Sequence, residues 1–366
     1  MNLKNYTGTV FTMIEKLKKL IKESDFDAAL IVSPENRFYF TGFNSTDGFL
    51  LASENDAVFI TDSRYIEAAQ NTVKKCKVVL QQRDIKQLKN VLDSFGAKNV
   101  AVEADRLTVS NLARFTKAFE EIEIIPDGSL DSGINSLRGI KENSEVEKIV
   151  TAQRIAEKGF EHICNFIREG KTEKEIQLEL DFYMLSHGAE ALSFETIAVS
   201  GANGSMPHGV PTDKPVKNGE LITLDFGAVY SGYHSDMTRT VALGFVNDKQ
   251  REVYETVLRA QLNSIASIKA GVTGKAADEA ARSVIRDAGY GDYFGHGTGH
   301  GVGVEIHEYP SVSPANEKPL EKGNIVTVEP GIYLPGEFGV RIEDMVLVTG
   351  DGCRNLTECP KELIIL

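Results

Sequence analysis

The chain has 366 residues, more than one core usually supports, so two domains are expected, each able to bury its own interior. The 40 basic and 53 acidic side chains leave a formal charge of -13, which repels a phosphate backbone and argues against nucleic acid as a partner. No run approaches the roughly 20 apolar residues of a bilayer span, and the opening MNLKNYTGTVFTMIEKLKKL lacks a long apolar stretch, so the expectation is a cytoplasmic protein with no membrane partner.

A helical pattern covers Glu15 to Lys22; the residues before Met13 look like an extension without an assigned role. Apolar or β-branched runs at AALIVS (28–33), FLLAS (49–53), AVFI (57–60), KVVL (77–80) and VAVEA (100–104) predict strands. Charged helical stretches near 64–70, 84–94 and 108–119 alternate with them, as in a small α/β layer that ends near Gly139. The polar stretch PDGSLDSGINS (126–136) reads as a linker.

Residues 140–366 are expected to form the second domain. A long amphipathic helix over 143–169 starts at Ser144 and Glu147, spaced as a capping box, carries Val146, Ile149, Ala156, Phe160 and Ile163 on one face, and is stopped by Gly170. A helix at 173–187, strands at 193–199, 221–229 and 236–243, helices at 248–268 and 274–287, and strands at 325–328, 331–335 and 340–348 follow. Strands and helices come in runs, which favours an α+β architecture around an antiparallel sheet. Cys76, Cys164, Cys353 and Cys359 form no CxxC pair, so they read as reduced structural thiols.

Four acids break apolar patterns in the second domain. Asp225 lies in LITLDFGAVY, Asp236 in YHSDMTRT, Glu329 in IVTVEPGIY and Glu343 in VRIEDMVLV, each read as strand-borne. Buried carboxylates cost several kcal/mol unless paired or metal-bound, so each needs a partner. The run GHGTGHGVGVEIHEYP (295–310) adds His296, His300 and His307 among glycines; it matches neither GxGxxG nor HExxH. Carboxylates with imidazole suit two divalent ions such as Mn2+, Co2+, Fe2+ or Zn2+. Such pairs hold a bridging hydroxide that attacks at neutral pH.

The motifs LDFG (224–227), SDMTRT (235–240), HGTGH (296–300), HEYP (307–310), VEPGIY (328–333) and VRIED (340–344) resemble those of the pita-bread metallopeptidases, in the Xaa-Pro aminopeptidase and prolidase branch. SPENRFYFTGF (33–43) and ITDSRY (60–65) resemble that branch's creatinase/prolidase-type N-terminal domain, so the resemblance spans nearly the whole chain. It implies that Asp225, Asp236 and Glu343 hold one ion, and that Asp236, His300, Glu329 and Glu343 hold the second. Glu329 would also take a proton from the bridging water, with His208 and His307 beside the scissile peptide. His296 would line the pocket, and Tyr333 and Arg341 would stand behind Glu329 and Glu343.

The same resemblance implies a proline-containing peptide substrate, manganese as the metal and a homodimer. Where similar prolidases carry an arginine after the HExP motif, suited to the free carboxylate of a dipeptide, this chain has Ser311. That departure favours an aminopeptidase over an Xaa-Pro dipeptidase. A non-catalytic peptide-binding relative would have lost ligands, and this chain keeps all of them.

Overall fold

The computed structural model describes residues 12–366, so the extension before Met13 lies almost wholly outside the described residues. The chain divides into two compact units, one running to Leu137 and the other Arg138–Leu366.

The first unit is built on a six-stranded sheet. Across it the strands run Lys77–Leu80, Ala57–Thr61, Phe49–Ser53, Ala28–Ile31, Asn99–Val102 and Glu123–Ile125. Ala28–Ile31 pairs antiparallel with Phe49–Ser53 and parallel with Asn99–Val102, and all four of its residues are buried. Burial on both faces is why its sequence is continuously apolar. The helix Pro34–Thr41, which apolar patterning does not announce, starts from Ser33, whose hydroxyl accepts from Asn36 N–H, and ends on Gly42 at φ +69°.

The stretch read as a linker is a helix, Ser129–Gly139. Leu130 and Ile134, one turn apart, are buried, and the Asp131 carboxylate accepts from the backbone N–H of Ala104 at 2.8 Å. Tertiary burial of two side chains outweighs the weak helix propensity of the serines and glycines around them.

The second unit opens with the helix Asn143–Phe166. Its capping box uses Glu142 and Glu145, not Ser144 and Glu147: the Glu145 carboxylate accepts from Glu142 N–H at 2.9 Å. Ser144 already lies inside the first turn, where its hydroxyl is in no position to cap. This helix and Glu173–Ser186 contribute Ile163, Leu180 and Met184 to one core with Leu224 and Phe226 of the sheet behind them. A second helix pair, Asp248–Ser267 and Gly274–Asp287, shares a core with Ile332 and Val340.

Between these helices lie short antiparallel sheets. One places Leu221–Phe226 between Met237–Ala242 and Ile197–Ser200, in the register Thr238↔Asp225 and Ile197↔Asp225. Another runs Glu308–Val312, Gly299–Gly301, Ile325–Val328, Asp344–Val348 and Cys353–Asn355. A hairpin joins Gly331–Leu334 to Phe338–Arg341.

Three runs expected to be continuous are broken. The strand expected at 193–199 is two pieces, Ala191–Leu192 and Ile197–Ser200; that at 221–229 pauses at Gly227; and that at 340–348 pauses at Ile342 and Glu343. At Gly227 the cause is steric, since a Cβ there would run into the Ser235 carbonyl.

Candidate active site

Only Asp225 of the four acids lies inside a strand. Asp236 precedes Met237–Ala242, Glu329 follows Ile325–Val328, and Glu343 sits between Phe338–Arg341 and Asp344–Val348. The expectation of four strand-borne carboxylates is corrected accordingly: three stand where the ladder gives way. Two of the three backbones are fixed by bonds outside it, Glu329 N–H to the Thr298 carbonyl at 2.8 Å and Glu343 N–H to the Thr238 carbonyl at 3.1 Å. Released from strict alternation, these side chains can turn toward one point.

His300 sits in Gly299–Gly301. A Cβ on Gly299 would meet the Thr327 backbone, so glycine is what lets this strand close on Ile325–Val328. The His300 backbone N–H donates to Thr327 Oγ1 at 3.0 Å, and Nδ1–H to the Gly301 carbonyl at 3.1 Å. Nε2 is then left facing Glu329 Oε1 at 3.3 Å and Asp236 Oδ2 at 3.5 Å. Asp236, His300 and Glu343 each offer a ligand atom, and these atoms lie within 4.8 Å of one another.

Asp225 and Glu343 share one pattern, with one oxygen anchored and the other not. Asp225 Oδ2 accepts from Arg341 Nη2 at 2.6 Å and Glu343 Oε2 from the Thr238 hydroxyl at 2.7 Å. Asp225 Oδ1 and Glu343 Oε1 are buried without a hydrogen-bond partner among the described residues. Buried acceptors normally have partners, and a divalent cation among hard oxygen donors and one imidazole would supply them.

The electrostatics agree. Burial, and then the Asp225 charge, push Asp236 well above the ordinary carboxylate range; burial, and then Asp236, do the same to Glu343. Burial also raises Asp225, with Arg341 opposing it. Against burial, the hydrogen bond with His300 takes Glu329 down to about 2, and the same contact lifts His300 to about 9. So many carboxylates cannot all carry charge together unless positive charge joins them.

His296, Tyr333 and Arg341 form a hydrogen-bonded chain. Arg341 Nη1 donates to the Tyr333 hydroxyl at 2.8 Å, and Tyr333 to His296 Nε2 at 2.9 Å. His296 Nδ1 completes it by donating to the Gly297 carbonyl at 2.8 Å. The ring therefore serves as a neutral imidazole, and burial lowers its pKa in keeping. Arg341 was expected behind Glu329 and Glu343; its direct carboxylate partner is Asp225. It reaches Glu343 only through Thr238, whose hydroxyl accepts from Arg341 Nε at 3.1 Å. Apolar patterning passes over Thr238 and Thr327, although the every-other-residue Thr238 and Thr240 in a buried strand signals a polar face.

His208 and His307 are exposed on the rim, and both line a cavity of about 460 Å³ with Asp225, Asp236, His300, Glu329 and Glu343. The His307 ring meets the His300 ring edge to face, with centroids 4.2 Å apart. Phe194, Ile197, Val210 and Ile306 give the cavity apolar walls, and Lys174 is the only lysine or arginine lining it among the described residues. None of these five was singled out from sequence. His296 and Arg341 face a smaller adjoining space; Ser311 lines neither. His162 and His187 lie apart from the site, stacked on either side of Tyr183, and His234 lines neither space.

An α+β unit whose strand ends converge carboxylates and an imidazole on an open cavity defines a metal-dependent hydrolase. Residues 147–350 match the model of metallopeptidase family M24 and residues 13–140 that of the creatinase/prolidase N-terminal domain, and the chain belongs to that family. A solved structure described as an Xaa-Pro dipeptidase from Bacillus anthracis is 43% identical with a TM-score of 0.92, over 97% of this chain and 99% of that one. One described as an X-Pro aminopeptidase from Thermotoga maritima is 40% identical with a TM-score of 0.90, over 96% and 99%. The Xaa-Pro dipeptidase of Pyrococcus furiosus is 38% identical over 96% of this chain and 99% of its own. Among the described residues no helix is long and apolar enough to cross a membrane.

Proposed function

We propose that the protein is a two-metal exopeptidase that cleaves the bond between an N-terminal residue and a following proline. The observation that carries this reading is the convergence of Asp236, His300 and Glu343 within 4.8 Å, beside the unpartnered oxygens of Asp225 and Glu343. In this reading Asp225, Asp236 and Glu343 hold one ion and Asp236, His300, Glu329 and Glu343 the other, with manganese the expected metal. When bound, the ions supply the Lewis acidity that makes water nucleophilic at neutral pH.

The protein's own groups do the rest. Glu329 receives the proton of the attacking water, and His208 and His307, on the rim, hydrogen-bond the carbonyl oxygen as charge develops there. An Xaa-Pro bond offers no N–H and fixes φ, so an apolar wall such as Phe194, Ile197 and Val210 has to recognise the ring by shape. The same reading takes residues 1–139 and 140–366 as the two domains of a cytoplasmic homodimer.

Ser311 supplies no cation for a free substrate carboxylate, which favours peptides longer than two residues. Lys174 on the cavity wall supports a second reading, an Xaa-Pro dipeptidase, as the Bacillus anthracis and Pyrococcus furiosus proteins are described. Chelator-stripped protein incubated with Mn2+ and either Ala-Pro or Ala-Pro-Ala decides between them. Cleavage of the tripeptide is expected; cleavage of the dipeptide alone selects the second reading, and cleavage of neither overturns both.

A further inference from the structure

Two cations lie almost wholly out of water beside the cleft: the side chain of Arg138 is 3% exposed and that of Lys141 1%. Charges at that depth are strongly unfavourable unless paired, so their partners show what the sequence holds them for. Lys141 Nζ meets Glu308 Oε1 at 2.5 Å. Arg138 takes the other oxygen of Glu308 with one guanidinium nitrogen and Glu305 Oε2 with the other, at 2.7 Å. Glu305 and Glu308 are the acids on either side of His307 in Glu305–Ile306–His307–Glu308.

The His307 ring makes no hydrogen bond among the described residues; its contact with the site is the edge-to-face approach to His300. Its position is therefore inherited from the backbone, and that backbone is held from both sides by the same guanidinium. The turn is closed by Gly303 N–H to the Glu305 carbonyl at 3.0 Å and by His234 N–H to the Gly303 carbonyl at 2.9 Å. A Cβ on Gly303 would meet the Glu308 carboxylate where Arg138 and Lys141 hold it.

The base of the clamp is also fixed. Lys141 N–H donates to the Gly323 carbonyl at 2.9 Å, and Asn324 Nδ2 to the Gly139 carbonyl at 2.9 Å. The strand that begins at Ile325 ends at Val328, immediately before Glu329. The segment 138–141 thus ties the His307 turn to the strand that leads into Glu329.

We infer that Arg138 and Lys141 are positioning residues: through Glu305 and Glu308 they hold the His307 ring against His300. The catalytic part of this inference rests on the reading of His307 given above. A double-mutant cycle with Arg138→Met and His307→Ala tests it on the full chain. Arg138→Met is expected to lower kcat about tenfold or more while KM moves less, because a small misplacement of a reacting group suffices for such a loss. In the His307→Ala background the same substitution should have little further effect, and Arg138→Lys should recover part of the activity.

Hydrogen exchange of amides 303–309, followed without substrate, should quicken in Arg138→Met and return toward wild type in Arg138→Lys. If Arg138→Met does not fold, Glu305→Gln removes one anchor and leaves the Glu308 pair in place. Equal losses of kcat in both backgrounds, or unchanged exchange, overturn the inference. Failure of the wild-type protein to cleave any Xaa-Pro peptide overturns the proposed function instead, and exchange still decides whether the clamp exists.

Discussion

Arg341 Nη2 lies 2.6 Å from Asp225 Oδ2, while the other oxygen of that carboxylate is buried without a partner among the described residues. One oxygen is held by protein and the other is available to an ion, a division that fixes orientation before any metal arrives. Arg341→Met leaves the Asp225 carboxylate unpaired, and breaking a buried pair in this way costs about 3–5 kcal/mol. Urea unfolding of the chelator-stripped variant should show a loss of that order. Added Mn2+ should restore more stability to the variant than to wild type, since the ion gives Asp225 another partner. An equal effect of metal on both proteins would refute this account of the pair.

Metal binding should release protons. Asp236 and Glu343 lie well above the ordinary carboxylate range, chiefly from burial and then from the charge of Asp225 on Asp236 and of Asp236 on Glu343. His300, against burial, is raised to about 9 by Glu329 and Asp236. A ligand group whose pKa is raised must lose its proton to bind, so affinity for Mn2+ should climb as pH rises towards about 9, where His300 gives up its proton. Calorimetric titration in two buffers of different ionisation enthalpy reads the release directly; identical heats in both would count against it.

Asp344 gives the acid limb of stability. Its buried carboxylate accepts from Arg239 at 2.8 Å, Gln261 at 3.0 Å, Asn355 at 2.7 Å and Lys361 at 2.7 Å. Burial alone would raise it, but Arg239 and Lys361 bring it below its ordinary value of 3.8. The folded pKa is depressed, so the stabilisation is fully present above that ordinary value and is lost as pH falls through the folded one. Asp344→Asn should unfold more readily at pH 7, by about 3–5 kcal/mol because Arg239 is left unpaired. It should also show a flatter dependence of urea midpoint on pH below about 4 than wild type does.

Gly299→Ala tests how His300 is placed. The added methyl meets the Thr327 backbone and must push Gly299–Gly301 away from Ile325–Val328. A stability loss of about 2 kcal/mol or more is expected in thermal or urea unfolding, together with weaker Mn2+ binding. A destabilised variant with unchanged metal affinity would show that this strand contact does not position the imidazole.

The ligand types were legible because an acid inside an apolar run is costly and therefore conspicuous, as at Asp225 and Glu343. The exact placement was not. Glu329 and Glu343 sit where strands stop, and the stops come from contacts remote in sequence, such as Glu343 N–H on the Thr238 carbonyl. The helix Ser129–Gly139 was hidden because its serines and glycines favour loops and only the burial of Leu130 and Ile134 reverses that. The strands Gly299–Gly301 and Glu308–Val312 were missed for a related reason: glycine and proline mark loops unless a close backbone approach requires them. Arg138 and Lys141 looked like ordinary basic residues, since nothing local reveals that Glu305 and Glu308 fold back onto them.

If these side chains hold two divalent ions, as proposed, peptide cleavage depends on both. Titration of chelator-stripped protein with Mn2+, reading bound metal and Ala-Pro-Ala hydrolysis together, tests it most directly. Two bound ions per chain are expected, with activity that appears as they fill and is lost in Glu329→Gln. Hydrolysis that persists in excess chelator, or full activity in Glu329→Gln, would contradict it.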